Sequence, residues 1–146
     1  MAITVKVQGL RDLEKALEGI EKHTTRKALA RRVLKKAGQP LADSMNAMAP
    51  VGQGDLNTSY AVSTKLNKSQ RRATRRKKKD DVMMYVGTND PAGIQQEFGN
   101  VNHGPQPHVR PAWDSGKRQA LEDIKDGLGT EIIKTAKREA AKKAKA

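Results

Sequence analysis

The chain has 146 residues, a formal net charge of +13 and no cysteine. Its length fits one domain, and the lack of cysteine excludes a disulfide scaffold, a Cys-based zinc site and thiol catalysis. It contains no run of about 18 apolar residues and no signal-peptide pattern, so we expect neither a membrane span nor a secretory leader. Leu, Ile, Val and Phe together number only 26, which predicts a sparse core. The basic excess favours an acidic partner, either nucleic acid or an acidic protein surface.

The predicted elements begin with one strand and two helices. Residues 2–8 alternate between apolar and polar side chains, which is typical of a half-buried strand. Leu and Ile recur at spacings of three and four over residues 10–20, which predicts an amphipathic helix. A longer helix is predicted over residues 25–48, with a kink or break at Gly38 and Pro40 because proline removes an amide and crowds the preceding turn. The apolar stripe of this helix is Leu29, Val33, Ala37, Leu41, Met45 and Met48.

Two further strands flank a basic segment. After a loop at residues 49–55, apolar and polar residues alternate over 56–66 and again over 82–86. The intervening residues 67–81 are too charged to supply a core face. We therefore interpret them as the long, solvated tip of a hairpin that the two strands form.

The last third of the chain is predicted to be mainly helical. One helical turn is expected at residues 94–98. A proline-rich ordered loop or extended strand is expected at 100–111, and a helix from about 111 to 128 that Gly127 and Gly129 loosen.

The closing residues 134–146 are mostly Lys, Arg and Ala, which predicts a solvated or fraying helix. We therefore divide the chain into one domain at residues 1–133 and a basic tail at 134–146. The order of elements predicts an α+β fold, in which the N-terminal strand and the long-tipped hairpin form a small antiparallel sheet packed against two or three helices.

Motifs for catalysis or cofactor binding are weak throughout the chain. Gly52 and Gly54 lack the Gly-Lys-Ser/Thr sequence of a P-loop, and no serine stands in a nucleophile elbow. His103 and His108 share one loop, but a metal site needs three or four ligands, so we interpret both as polar loop residues. The acids are scattered, whereas a metal nuclease needs clustered carboxylates. We expect no enzymatic activity, no cofactor and no metal.

Positive charge is densest in the predicted hairpin tip. Between Lys22 and Lys79 there are sixteen Lys and Arg residues and two acids. Such side chains neutralise phosphates, and their binding falls steeply with salt, although a solvated loop that only keeps the protein soluble is the alternative. The few aromatics cannot form a stacking platform, so we expect no sequence-specific recognition. The residues expected to contact DNA or an acidic partner are Lys68, Arg71, Arg72, Arg75, Arg76, Lys77, Lys78 and Lys79.

Three motifs follow the long predicted helix. They read Ala49-Pro50-Val51 with Gly54-x-Leu56-x-x-Ser59, then Val86-Gly87 with Gln96-Glu97-Phe98-Gly99, then Pro107-His108-Val109-Arg110-Pro111-Ala112-Trp113. Together with Gly9-Leu10-x-x-Leu13, this series over residues 5–128 resembles the tail-completion, or head–tail joining, proteins of long-tailed lambdoid phages and related prophages. The residues that the resemblance singles out as motif or interface positions are Pro50, Gly54, Leu56, Glu97, Phe98, Gly99, Pro107, Arg110, Pro111 and Trp113.

This resemblance implies a structural virion protein without enzymatic activity, with an α+β fold similar to that of tail terminator proteins. It implies a ring of six copies at the neck of the particle, around the DNA channel, assembled in the host cytoplasm. The implied partners are other copies of the chain, the head connector or adaptor, and the tail terminator or tail-tube proteins, with non-specific contact to genomic DNA and none to a membrane. The alternative is a non-virion protein that binds nucleic acid without sequence specificity through the same basic segment.

Physical reasoning gives expectations for individual motif residues. We expect Phe98 in the core, with an interface anchor as the alternative. Glu97 and Arg110 are expected to form a charge pair within or between subunits, which contributes little if it is exposed. Prolines in the loop that follows, including Pro105 and Pro107, stiffen it and so lower the entropy lost if the loop docks on a neighbour.

Overall fold

The structure is a computed structural model that describes residue 11 and residues 23–52, 54–73 and 82–145. The predicted strand at 2–8, almost all of the helix at 10–20 and residues 74–81 of the predicted hairpin tip lie outside these ranges. In chain order the elements are α1 His23–Met48, α2 Leu56–Ser59, β1 Ala61–Ser63, α3 Lys68–Ala73, β2 Tyr85–Gly87, α4 Ala92–Phe98 and α5 Val109–Ala144. Helices packed against a small antiparallel sheet confirm the predicted α+β class.

The two long helices, α1 and α5, pack side by side in opposite directions. Glycine on α5 lets them approach closely, because a Cβ at Gly116 would lie 2.6 Å from Leu41 Cδ2 and one at Gly127 would lie 3.0 Å from Val33 Cγ1. The two glycines are about three turns apart on α5, so they fall on the same helix face.

In the described ranges the apolar core consists of two clusters along this helix pair. The first joins the C-terminal half of α1 to the sheet, α2 and the start of α5, and its buried members are Ala42, Met45, Ala49, Leu56, Tyr60, Val62 and Ala112. The second joins Leu29 and Val33 of α1 to Ile132 of α5. The predicted stripe of α1 is therefore the core face, except that Met48 is exposed.

The predicted hairpin pairing is confirmed. Strands β1 and β2 are antiparallel, with Val62 opposite Val86. Both valines lie over Gly38 of α1, where a Cβ would stand 3.2 Å from Val86 and 3.3 Å from Val62. Helix α1 runs without a break through Gly38 and Pro40.

The predicted strand at 56–66 is wrong in its first half. Residues 56–59 form the short helix α2, and only 61–63 are strand. Leu56 and Tyr60 are both buried, and their spacing of four places them on one helical face rather than on the alternating faces of a strand. The Thr58 and Ser59 hydroxyls donate to the carbonyls of Asp55 and Leu56, which supports the turn.

The interpretation of 67–81 as a loop is also wrong at its start, where Lys68–Ala73 form α3. Asn67 and Gln70 cap this helix reciprocally, since the N–H of Gln70 donates to Asn67 Oδ1 and the N–H of Asn67 donates to Gln70 Oε1. This capping box predicts a helix start at Asn67. The loop interpretation rested on charge and did not take it into account.

Helix α5 continues well beyond the predicted end at residue 128. Gly127 packs against Val33 instead of ending the helix, and Ile132 and Thr135 are buried further along. The helix reaches Ala144, so residues 134–144 of the basic segment extend a packed helix. None of the helices in the described ranges combines the length and apolar character that a membrane crossing needs.

Candidate functional site

The site is built around the Glu97 carboxylate, at the point where α4 meets the start of α5. Its Oε2 accepts the backbone N–H groups of His108 at 2.7 Å and Val109 at 2.9 Å. Its Oε1 accepts the N–H of Arg110 at 3.2 Å and the Nε–H of the same residue at 2.9 Å. We call Glu97 with these donors from residues 108–110 the Glu97 clamp.

The clamp provides hydrogen-bond acceptors for all the free N–H groups at the start of α5. A helix leaves its first four N–H groups without intrahelical acceptors. Glu97 accepts three of them, and the fourth position is Pro111, which has no N–H. The next amide, Ala112 N–H, already donates to the carbonyl of His108. Because the carboxylate also faces the positive end of the helix dipole, its charge stabilises this helix start.

The imidazole of His108 extends the network inward to Tyr60. Its Nδ1 lies 3.1 Å from the carbonyl of Gln106, which can only accept, so Nδ1 carries the proton. In the neutral ring Nε2 is then the acceptor of the Tyr60 hydroxyl, at 2.6 Å. Tyr60 is fixed in turn by Asn46, whose side chain bonds both the N–H and the carbonyl of Tyr60. One hydrogen-bonded chain thus ties α1 to the start of α5.

Burial and hydrogen bonding set the ionisation of this network. Burial by itself raises the pKa of Glu97, but the hydrogen bonds from His108, Val109 and Arg110 outweigh it and lower the pKa to about 2. Burial, with a smaller contribution from the nearby Glu97 charge, raises the pKa of Tyr60 to about 12. Glu97 is therefore held as a carboxylate and Tyr60 as a neutral phenol at neutral pH.

The Tyr60–His108–Glu97 series serves packing and positioning. The three residues are 5%, 0% and 4% exposed, and a phenol with a raised pKa is a poorer proton donor than free tyrosine. In the described part of the chain no group of three or more His, Asp or Glu side chains could hold a metal ion.

Phe98 is exposed, which corrects the expectation that it lies in the core. Helix α4 turns Gly93 and Glu97 inward, so Ile94 and Phe98, one residue further on, point outward. Phe98 is 65% exposed, Ile94 71% and the nearby Val101 99%. We call these three side chains the Phe98 surface.

The clamp also fixes the Phe98 ring. The Arg110 guanidinium lies 5.0 Å from the ring centroid, while Nε of the same group bonds Glu97. The predicted Glu97–Arg110 pair thus exists within one chain, with a buried carboxylate and an Arg110 side chain that is 60% exposed. Phe98 is therefore presented to solvent beside a hydrogen-bonded arginine.

Gly99 ends α4 in a conformation that only glycine adopts readily. Its φ is +78° and its ψ is 172°, and an added Cβ would meet backbone atoms of the loop that follows, the nearest being Pro105 N at 2.9 Å. The motif therefore needs glycine here for both backbone conformation and space.

We expect Gly99→Ala to destabilise the protein by about 1–3 kcal/mol, because strain and a backbone clash add together. Gly104→Ala is the matched control, since nothing lies within 4 Å of the added methyl group. Urea unfolding of both variants measures the difference. Equal midpoints for the two would contradict the assigned role of Gly99.

The remaining motif residues are divided between core and surface. Leu56 is buried, Pro50 is partly buried, and Trp113 is 51% exposed in the first turns of α5. Gly54, Pro107, Arg110 and Pro111 are exposed.

The predicted DNA-contact residues are only partly described. Lys68, Arg71 and Arg72 are exposed on α3. Arg75, Arg76, Lys77, Lys78 and Lys79 lie outside the described residues.

Sequence reasoning missed Asn46 and Tyr60, and it misread His108 as a polar loop residue. His108 is fully buried as the residue before α5. The sequence signal for His108 is its position directly before Val-Arg-Pro, where a helix begins. No Ser, Thr, Asp or Asn stands there to cap the helix, so another group has to accept its first N–H groups.

The comparisons with known proteins point to one family. Residues 11–104 match the family described as "Bacteriophage HK97-gp10, putative tail-component". The match includes α1, the sheet and the Glu97-Phe98-Gly99 motif, whereas the motif that begins at Pro107 lies beyond it. No curated protein and no solved structure matches the chain. Since the match spans more than half of the chain and agrees with the motif series, this chain belongs to the HK97 gp10-like family of bacteriophage tail components.

Proposed function

We propose that the chain is a head–tail joining, or tail-completion, subunit that forms a closed ring of six copies at the phage neck. In this role it connects the head connector to the tail terminator or tail tube around the DNA channel. Family membership supports a tail component and favours this role over a non-virion nucleic-acid binder. The basic hairpin segment, from Lys68 onward, then faces the DNA or an acidic neighbour.

The observation that carries the proposal is the Phe98 surface. Large apolar side chains that stay exposed together mark interaction sites. Ile94 and Phe98 stand four residues apart on α4, and both lie within the family-matched region. Aromatic and Arg side chains are enriched where binding energy concentrates in protein interfaces, and here Arg110 lies against Phe98. A rigid support lowers the entropy lost on association.

Closure into a ring requires two different patches that meet between neighbours. The Phe98 surface supplies one of them in this proposal, and a separate face of the next subunit supplies the other. No membrane or cofactor takes part.

The test is complementation of a phage that lacks its own copy of this gene. We expect Phe98→Ser to yield separate heads and tails in electron micrographs and a loss of infectious particles of about tenfold or more, because a central interface residue contributes about 2 kcal/mol or more. Ile133→Ser is the matched control, since Ile133 is also apolar and 57% exposed but lies on α5, outside the family-matched residues. Joined, infectious particles from the phage without the gene would overturn the joining role.

A further inference from the structure

The end of the helix pair opposite to the Glu97 clamp carries a concentration of positive charge. Between residues 26 and 36, α1 has six Lys and Arg residues and no acid. Between Lys134 and Lys143, α5 has five Lys and Arg residues and only Glu139 as an acid, and Lys145 follows directly after the helix. These segments are about a hundred residues apart in sequence, so their proximity is visible only in the fold.

Packing brings the two segments side by side. Leu29 and Val33 of α1 share a core cluster with Ile132 of α5. Beside that cluster Arg32 Nη2 donates to Glu131 Oε2 at 3.2 Å. The charges on both helices are therefore parts of one surface.

Five basic residues lie along one side of this surface. Arg32 and Lys36 of α1 line the same cleft as Lys134 of α5. Arg138 and Lys142 follow Lys134 at intervals of four, which keeps them on one helix face. We call these five residues the basic face.

Acids are concentrated at the inner end of the basic face. Glu131 bonds Arg32 and lies 4.0 Å from Lys134. Asp123 and Asp126 line the same cleft towards the middle of α5. Towards the C-terminal end, Arg138 and Lys142 continue the stripe, where Glu139, three residues before Lys142, is the single acid.

This arrangement opposes helix stability. The pairs Arg32/Lys36, Lys134/Arg138 and Arg138/Lys142 are like charges at i,i+4, which destabilise a helix. The first turn of α1 also has no acid to balance the positive end of its dipole. A bound polyanion would relieve both effects.

We propose that the basic face binds the phosphate backbone of duplex DNA without sequence specificity. Nucleic acid fits better than an acidic protein because protein interfaces are depleted of Lys and have an apolar centre, whereas protein–DNA interfaces are polar and strongly positive. From Lys134 to Lys145 the helix has no large apolar side chain. This surface is distinct from the hairpin segment, and the inference does not depend on ring formation.

The test compares three charge-neutralised forms of the full chain by fluorescence anisotropy with a labelled duplex of mixed sequence across a salt series. The test variant is Lys36→Gln, Arg138→Gln and Lys142→Gln. The matched control, Lys117→Gln, Arg118→Gln and Lys125→Gln, removes the same charge from the middle of α5. The third form is Lys68→Gln, Arg71→Gln and Arg72→Gln in the hairpin segment. All three replace residues of similar helix propensity.

We expect the test variant to weaken duplex binding about tenfold or more at moderate salt. The slope of log binding constant against log salt concentration should become shallower by about 2–3, as the loss of three phosphate contacts predicts. The matched control should change binding less than about twofold, because its charges do not meet phosphates. Equal losses in these two variants would overturn the proposal, since net charge alone would then explain binding.

Two other outcomes would also overturn it. Loss of duplex binding in the hairpin variant alone would assign DNA contact to the hairpin segment and leave the ring proposal intact. Loss of binding to poly-L-glutamate in the test variant, with duplex binding unchanged, would identify an acidic polypeptide as the partner. Circular dichroism of each variant serves as the control for retained helix content.

Discussion

Replacement of Glu97 by alanine is expected to lower the free energy of unfolding by about 3 kcal/mol or more. The substitution removes the acceptor of three backbone N–H groups and of the Arg110 Nε–H. Unpaired buried polar groups cost about 1–3 kcal/mol each, and part of that cost is relieved where water enters. Since the free energy of unfolding of a small domain is about 5–15 kcal/mol in total, urea unfolding should detect the change easily.

The pH dependence of stability tests the ionised state of Glu97. Its folded pKa of about 2 lies below the ordinary value of 4.5. The unfolded chain therefore binds the proton first, and the stability that Glu97 contributes is present above about pH 4.5 and is lost as the pH falls towards 2. Glu97→Gln keeps the shape but removes the titration, so its unfolding free energy should fall less over this pH interval.

Glu122→Ala is the control for the Glu97 substitutions, because Glu122 is exposed on α5. It should change stability by less than about 0.5 kcal/mol. A Glu97→Ala protein as stable as this control would contradict the role of the clamp.

The second large effect is expected at His108, where alanine should cost about 2–4 kcal/mol. The side chain is completely buried, so its removal leaves a cavity and deprives the Tyr60 hydroxyl of its acceptor. His103→Ala is the natural comparison, since its ring bonds only the adjacent Gly104 carbonyl in the described structure, and it should cost less than about 1 kcal/mol.

A double-mutant cycle isolates the hydrogen bond between Tyr60 and His108. Tyr60→Phe alone leaves His108 Nε2 unpaired and should cost about 1–2 kcal/mol. In the His108→Ala background the same change should cost clearly less, because the bond is already absent. Additive effects would show that the two side chains are not coupled.

The fold elements that sequence periodicity predicts are those whose apolar residues face one neighbour. The stripe from Leu29 to Met45 determines α1, and the alternation around Val62 and Val86 determines the hairpin pairing. The helix at 56–59 was missed because four residues are too few for periodicity to distinguish a turn of helix from a strand. The end of α5 was misplaced because glycine usually ends helices, whereas Gly116 and Gly127 serve close packing against α1.

The site was predictable in its motifs but not in its geometry. The sequence indicated Glu97, Gly99 and Arg110, and it suggested that Glu97 and Arg110 pair. It could not reveal that Glu97 accepts backbone N–H groups eleven to thirteen residues further on, because such a contact depends on how α4 meets α5. The sequence favours the core over an interface anchor for Phe98, but the inward turn of Gly93 and Glu97 decides its exposure.

The most direct test of the account is the native mass of the full-length protein, compared between the wild type and Phe98→Ser. The account predicts a closed ring of six subunits for the wild type and single subunits for the variant, with unchanged helix content in both. A wild-type protein that stays monomeric, or a Phe98→Ser ring as stable as the wild-type ring, would contradict the claim that the Phe98 surface joins the subunits.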